Sequence, residues 1–303
     1  MGGLLSFCYH QLFFKPRPLS PSTILSGKTA LITGANSGLG LEAARELASH
    51  ELSHLMITAR DVSKGEAAKD TILKSSPNCN VDVWPLDYDS YDSIAEFGQR
   101  VKGLERLDYA LLNAGVKALT YEKSSAGHEL NVQINHIGTS AVSLLLLPVL
   151  RKMARETKQP SRMTIVSSEG HFWVPFDERR APNILKELDD KTDFGRIANQ
   201  RYYTTKLLNV LWTRELASRV ERLGPGEVIV NTVNPGFCSS GFHRHESSVM
   251  NRLFLSAFAW TSAQGGHCLT DALVLHEESH GEYLSGQRKT PYAFRPSSSL
   301  ELL

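Results

Sequence analysis

Short β-branched and apolar runs alternate along the chain with longer stretches whose apolar positions recur every three to four residues. The short runs are Thr29–Thr33, His54–Ala59, Val81–Pro85, Tyr109–Asn113, Met163–Ser167 and Glu227–Val233. Each has strand length and is apolar enough to be covered on both faces. Stretches such as Leu39–Ser49 and Thr204–Val220 carry the helical period instead. This alternation predicts the α/β class, a doubly wound parallel sheet with helices on both faces. There is no internal repeat and no second boundary, so one domain is expected over 27–294, between an arm with a linker (1–26) and a tail (295–303).

The arm contains an apolar segment, Gly3–Phe14, of 12 residues. That is short of the roughly 20 needed to span a bilayer. It lacks the basic region and cleavage site of a secretory signal. Gly2 with Ser6 fits the loose myristoylation pattern, but a single acyl chain anchors only marginally. Two readings stay open here, a packing arm and weak peripheral membrane contact, in a protein expected to be cytoplasmic. Lys15–Ser22 holds three prolines and reads as an extended linker separating the arm from the domain.

Composition removes several function classes. Lys plus Arg number 33 and Asp plus Glu 32, a net charge of +1 without the concentrated basic surface that nucleic acid requires. Cys8, Cys79, Cys238 and Cys268 are far apart and show no ligand spacing, so neither a disulfide framework nor a metal site is expected.

The first strand runs into Gly34-Ala35-Asn36-Ser37-Gly38-Leu39-Gly40, followed at once by a helical pattern. Three glycines alone are explained by a tight turn. Placed between a strand and a helix they allow the turn, a close backbone approach to phosphate, and helix–strand packing. The helix N-terminus then offers free N–H groups to a pyrophosphate. At the end of the second strand there is no carboxylate at the tip; Arg60 follows Ala59, with Lys64 one turn on. Guanidinium and ammonium there favour a 2′-phosphate, hence NADP(H), and Asp61 is expected to cap the next helix. If Asp61 faced the ribose instead, NAD would be the cofactor.

Tyr202 and Lys206 stand one helical turn apart and so share a helix face. An ammonium beside a phenol is expected to lower the phenol's pKa and ready it to exchange a proton with a carbonyl or alcohol oxygen. Tyr203 has Leu207 at the same spacing and is not expected to act this way. Ser167 and Ser168 end the fifth strand, where parallel sheets place their ligands; either could hydrogen-bond the reacting oxygen.

Taken together, Gly34/Gly38/Gly40, Leu112-Asn113-Ala114-Gly115, Ser167-Ser168, Tyr202/Lys206 and Asn234-Pro235-Gly236 resemble the short-chain dehydrogenases/reductases over Gly27–Ser285. The wording TGANSGLGLEAA, INHIG and YYTTKLLNVLWTRELA is similar to their retinol dehydrogenase-like branch, and within it to fungal reductases of secondary metabolism. The resemblance implies a Rossmann fold and a catalytic set of Ser168, chosen over Ser167, with Tyr202, Lys206 and Asn135. Lys206 would also hold the nicotinamide ribose, and Asn135 would kink a helix and hold a water of the proton relay. For the cofactor it implies Ser37, Leu39, Lys64, Asp87 and Asn113. Ser240 would stand where the family has a threonine, because Phe237-Cys238-Ser239-Ser240 departs from the usual pattern. A shorter C-terminal end than relatives carry implies a more open substrate side.

Between Ser168 and Tyr202 lies a long insertion, Glu169–Gln200, expected to fold over the pocket, with Glu169, His171, Phe172 and Trp173 as substrate contacts. Phe237–Trp260, with Phe242, Phe254, Phe258 and Trp260, is a second candidate lid. The leading expectation is an NADP(H)-dependent ketone reductase or alcohol dehydrogenase acting on a bulky, partly apolar small molecule such as a polyketide or terpenoid. A non-redox isomerase, dehydratase or cyclisation catalyst is the alternative. A nucleotide-sensing module is a third reading, though it would have no need of both Tyr202 and Lys206. A homodimer stays open.

Overall fold

The structure, a computed structural model, describes residues 4–192, 194–239 and 258–292. The expected strands form: β1 (Thr29–Ile32), β2 (His54–Ala59), β3 (Asn80–Pro85), β4 (Tyr109–Leu112), β5 (Ser161–Val166) and β6 (Val228–Asn234). Two short strands that the apolar pattern did not announce, β7 (Tyr283–Ser285) and β8 (Lys289–Thr290), complete the sheet. Its order is β3-β2-β1-β4-β5-β6-β7-β8, parallel throughout except for the antiparallel β7–β8 edge. β1 pairs with both β2 and β4. The strand order therefore reverses at β1, which opens a crevice at the carboxyl ends of β1 and β4.

Alternating residues of β1 show why the strands are apolar throughout. Ala30 and Ile32 face one core, shared with Leu47 of helix α2 (Gly38–Ser49), Ile72 of α3 (Val62–Ser75) and Leu269 of the later helix Ser262–Val274. Leu31 faces the other core, with Phe97 of α4 (Tyr91–Lys102), Leu146 of Thr139–Thr157 and Leu216 of Phe194–Leu223. All four residues of β1 are buried. The apolar helix Leu130–Thr157 is long enough to cross a membrane by length and composition. Here it is a core helix, with Val142, Leu146 and Leu150 fully buried.

Chain order for the remaining helices is α5 (Leu130–Val132), a π-helical turn (Gln133–Gly138), α6 (Thr139–Thr157), α7 (Ile184–Leu188), α8 (Phe194–Leu223) and α9 (Ser262–Val274). α8 is longer than its periodicity indicated and carries Tyr202 and Lys206 in its first half.

The N-terminal region follows the packing-arm reading, while the stretch expected to be a separating linker does not stand off from the domain. Leu4–Phe13 is a helix, α1, and the proline-rich stretch after it lies along the body. Leu19 is buried, and its N–H donates to Glu46 at 2.8 Å. Arg17 exchanges two hydrogen bonds with Gln287. Both the arm and the stretch read as a separating linker are packed onto the domain.

Candidate active site

Each carboxyl end of β1, β2 and β4 contributes to a cleft of about 570 Å³ lined by Gly34, Ser37, Arg60, Lys64, Asp87 and Asn113 among others. Gly34 has φ +64°, and a Cβ there would stand 2.9 Å from Ala114 Cα. Gly40 is excluded from carrying a side chain by Asn113 Nδ2 at 2.5 Å. That amide braces the turn, donating to the carbonyls of Thr33 and Gly34, both at 3.0 Å. Ser37 takes the N-cap place of α2 in extended conformation without a capping side-chain bond. The α2 N-terminus is thus left to serve an anion from outside.

Asp61 behaves as a cap. Its carboxylate accepts from the Ser63 hydroxyl at 2.6 Å, the main cause of its lowered pKa, and from the N–H groups of Ser63 at 3.0 Å and Lys64 at 3.3 Å. Lys64 Nζ lies 3.5 Å from the same carboxylate. Arg60 is exposed on the cleft wall.

A second cavity, of about 280 Å³, adjoins the first and shares Leu39, Asn113 and Lys117 with it. Its lining includes Ser168, Glu169, Trp173, Tyr202, Tyr203 and Lys206. Lys206 is 3% exposed; its ammonium donates to Val166 O at 3.2 Å and lies 5.7 Å from the centre of the Tyr202 ring. Gly115 makes room for the neighbouring Asn135, whose Oδ1 would lie 3.0 Å from a Cβ there, while Lys206 Nζ would be in ordinary contact at 3.5 Å.

The expectation that Lys206 lowers the Tyr202 pKa is corrected. Burial, helped by Tyr203, pushes the phenol above its usual range, and burial also brings Lys206 down to about 8. Desolvation disfavours the charged form of each group, and here it outweighs their attraction. In this state the phenol holds its proton.

The two serines separate cleanly. Ser167 is buried and its hydroxyl donates to Lys206 O at 2.8 Å. Ser168 is half-buried beside the cavity, where its Oγ accepts from Gly170 N at 3.2 Å. Asn135 lies in the π-helical turn, an interruption of the regular helix at the position expected to kink. Its side chain is fully buried and committed to the backbone of Val116 and to Thr205, while its carbonyl accepts from Asn209. Asn135 does not border either cavity.

Of the four expected substrate contacts, Glu169 and Trp173 line the second cavity and His171 and Phe172 do not. His171 is fully buried, with Nδ1 2.6 Å from Ser168 O and its ring 4.6 Å from Tyr283; burial lowers its pKa to about 4. Phe172 packs on the same tyrosine at 6.0 Å. The turn Glu169–Trp173 is a 3₁₀ helix whose side chains diverge, so consecutive residues cannot all face one cavity.

Among the described residues, the rest of the insertion does not line the pocket. Val174, Phe176 and Leu188 form a small core with Val132 and Leu207. Asp189 fastens that unit by accepting from Glu129 N at 2.9 Å and pairing with His128 at 2.8 Å.

Two contributors, Tyr203 and Phe7, escaped the sequence reading, and a third, Phe237, entered it only as the first residue of the second candidate lid. Tyr203, dismissed as a proton donor, lines the cavity and lies over Gly170, where a Cβ would meet its ring at 2.0 Å. Phe237 follows the Asn234-Pro235-Gly236 turn and enters the lining, and so does Phe7 of α1. Only Phe237 had a local signal, its place after that turn. Ser240, Phe242 and Phe254 lie outside the described residues, while Trp260 is buried against α1 rather than lining the cavity. Among the described residues no group of three or more His, Cys, Asp or Glu could hold a metal.

Residues 28–176 match the family profile described as short chain dehydrogenase. The short chain dehydrogenase sol3 of Alternaria solani is 54% identical over 287 residues, covering 95% of this chain and 99% of that one. The chain belongs to the short-chain dehydrogenase family. A further relative, the short chain dehydrogenase/reductase mfmJ of Annulohypoxylon moriforme, is 37% identical over 94% of this short-chain dehydrogenase and 83% of its own length. Among solved structures the fold is shared with the Pseudomonas aeruginosa RhlG/NADP active-site complex (TM-score 0.64, 21% identity, 88% and 97% of the two chains). It is shared also with L-sorbose reductase from Gluconobacter frateurii, complexed with NADPH and L-sorbose (TM-score 0.65, 16% identity, 87% and 96%).

Proposed function

We propose that this short-chain dehydrogenase is an NADP(H)-dependent reductase of a ketone, or in reverse an alcohol dehydrogenase, acting on a bulky, partly apolar small molecule of secondary metabolism. One observation carries the reading: the Tyr202–Lys206 pair borders an apolar cavity that joins the nucleotide cleft through Leu39, Asn113 and Lys117. A phenol at such a junction meets the substrate oxygen on one side and the cofactor on the other. Support comes also from the fungal relatives and from the NADP and NADPH held by structures of the same fold. The motif wording supports the finer placement near the retinol dehydrogenase-like branch.

The chain fits the cofactor at several points. Gly34 and Gly40 leave the backbone bare beside the open α2 N-terminus, a cradle for pyrophosphate. Arg60 and Lys64 would pair with a 2′-phosphate, while the Asp61 carboxylate is held by α3 and turned to capping. Asp87 would face the adenine and Lys206 the nicotinamide ribose; the nicotinamide, when bound, supplies or accepts hydride.

The remaining steps belong to side chains. Ser168 would hold the substrate oxygen while the Tyr202 hydroxyl, kept protonated by burial, donates its proton as that oxygen gains charge. Lys206, still mostly protonated at pH 7 with a pKa of about 8, stabilises the phenolate left behind. Asn135 would brace Val116 and Thr205 around this pair.

The test follows NADPH absorbance with a panel of ketones. Turnover by the wild type, lost in Tyr202→Phe with NADPH binding retained, is expected; equal rates in the two proteins would end the assignment.

The reading extends to a cytoplasmic protein with peripheral membrane contact through α1, whose Tyr9, Leu12 and Phe13 are exposed. Co-sedimentation with anionic vesicles, lost in the triple serine variant at these positions, tests it.

A further inference from the structure

One side chain of α1 makes three hydrogen bonds to the backbone of the segment after β6. Gln11 Oε1 accepts from the Phe237 N–H at 3.1 Å, and Gln11 Nε2 donates to the carbonyls of Phe237 at 2.9 Å and Phe258 at 3.0 Å. The Gln11 carbonyl in turn accepts from Trp260 Nε1 at 2.9 Å. An amide that both gives to and takes from one residue's backbone sets that residue's distance and rotation, as a neighbouring strand would. Gln11 is 4% exposed, so water competes little for these bonds. Gly236 permits the contact, since a Cβ there would meet the Trp260 ring at 2.3 Å and Gln11 Oε1 at 3.2 Å.

Phe7 precedes Gln11 by four residues and shares its helix face. It is buried, lines the second cavity, and meets Trp173 edge-on at 5.5 Å and Phe237 at 6.1 Å. Trp173 meets Tyr203 edge-on at 5.7 Å. Four rings from four separate parts of the chain thus line one cavity of about 280 Å³.

We propose that α1 is part of the substrate site: Phe7 is a specificity-determining residue for an aryl ketone, and Gln11 is the positioning residue that holds Phe7 and Phe237 together. The proposal rests on the reductase reading above. A flat conjugated ring gains edge-to-face and offset contacts from such a wall beyond the burial of its area, whereas a saturated ring of equal bulk gains burial alone.

The experiment compares matched pairs, acetophenone against cyclohexyl methyl ketone and 2-acetylnaphthalene against 2-acetyldecalin, in steady-state reduction with NADPH. The wild type should prefer the aryl member by about tenfold or more in kcat/KM. Phe7→Leu should erase the preference through KM, leaving kcat and NADPH affinity unchanged. Gln11→Leu should do the same, and the double variant should be no worse than Gln11→Leu alone, because the two act as one unit. An aryl preference that survives Phe7→Leu, or a loss carried by kcat together with a lower unfolding temperature, overturns the proposal.

If the wild type reduces no ketone, the reductase reading fails separately, and quenching of tryptophan fluorescence by the same pairs decides the proposal. Tighter aryl binding that Phe7→Leu removes sustains it. Equal binding by the two proteins overturns it.

Discussion

The nucleotide half and the substrate half of the molecule are built on opposite plans. The nucleotide cleft is made from the ends of consecutive strand–helix units, and backbone shape does much of the work. Gly34 and Gly40 leave room and Asp61 caps a helix, while Asn113 reaches across to brace the turn between β1 and α2. The substrate cavity is assembled from pieces that have no proximity in sequence: Phe7, the turn after β5, α8 and the loop after β6. Its shape depends on ring packing and on the one amide of Gln11. In a site built on backbone geometry the glycines cannot be exchanged without strain, and the exposed charges such as Arg60 choose between cofactors. In a site built on side-chain packing the shape is lost when one of the rings is exchanged.

Replacement of Lys206, at the junction of the two halves, should have the largest effect. Lys206→Met is expected to lower turnover by about a hundredfold or more and to weaken NADPH binding as well; a normal cofactor affinity in this variant would break its assignment to both halves. Its stability carries a separate signature. The folded pKa of about 8 lies below the ordinary 10.5, so the unfolded chain binds more protons between those values. Wild-type stability should therefore rise from pH 8 to pH 10.5 relative to Lys206→Met, as denaturant melts at each pH would show.

Gly34→Ala comes next. Its φ of +64° and the 2.9 Å approach to Ala114 leave no room for a methyl group. Weaker NADPH binding and a loss of roughly 1–3 kcal/mol in unfolding free energy are expected. Calorimetry showing neither would refute the backbone account of this half.

Arg60→Ala should weaken NADPH by about ten- to a hundredfold and leave NADH nearly untouched, since charge-assisted pairs with phosphate contribute that much. Titration of both cofactors decides it, and tighter NADH binding by the wild type would reverse the cofactor assignment.

The smallest effect belongs to Tyr203→Phe. The ring that lies over Gly170 is kept and only the hydroxyl goes, so kcat should stay within about twofold of wild type. A collapse matching that of Tyr202→Phe would transfer the proton-donor role to the neighbour.

The sequence by itself determined strands β1 to β6 of the sheet, the glycine turn, the Asp61 cap and the helix face shared by Tyr202 and Lys206. Each of these depends on a local rule: burial period, backbone freedom at glycine, side-chain capping, or the helical repeat. Tertiary structure alone decided which neighbour of a motif faces which way. Ser167 turns into α8 and Ser168 toward the cavity, and His171 is buried while Trp173 lines the site, although all four are within seven residues of one another. It also decided the sign of the Tyr202 shift, because desolvation depends on everything packed around the phenol and not on the residue four positions away. And it brought Phe7 to the site across more than two hundred residues. No local pattern encodes that approach, since it follows from the match between one face of α1 and a loop formed near the other end of the chain.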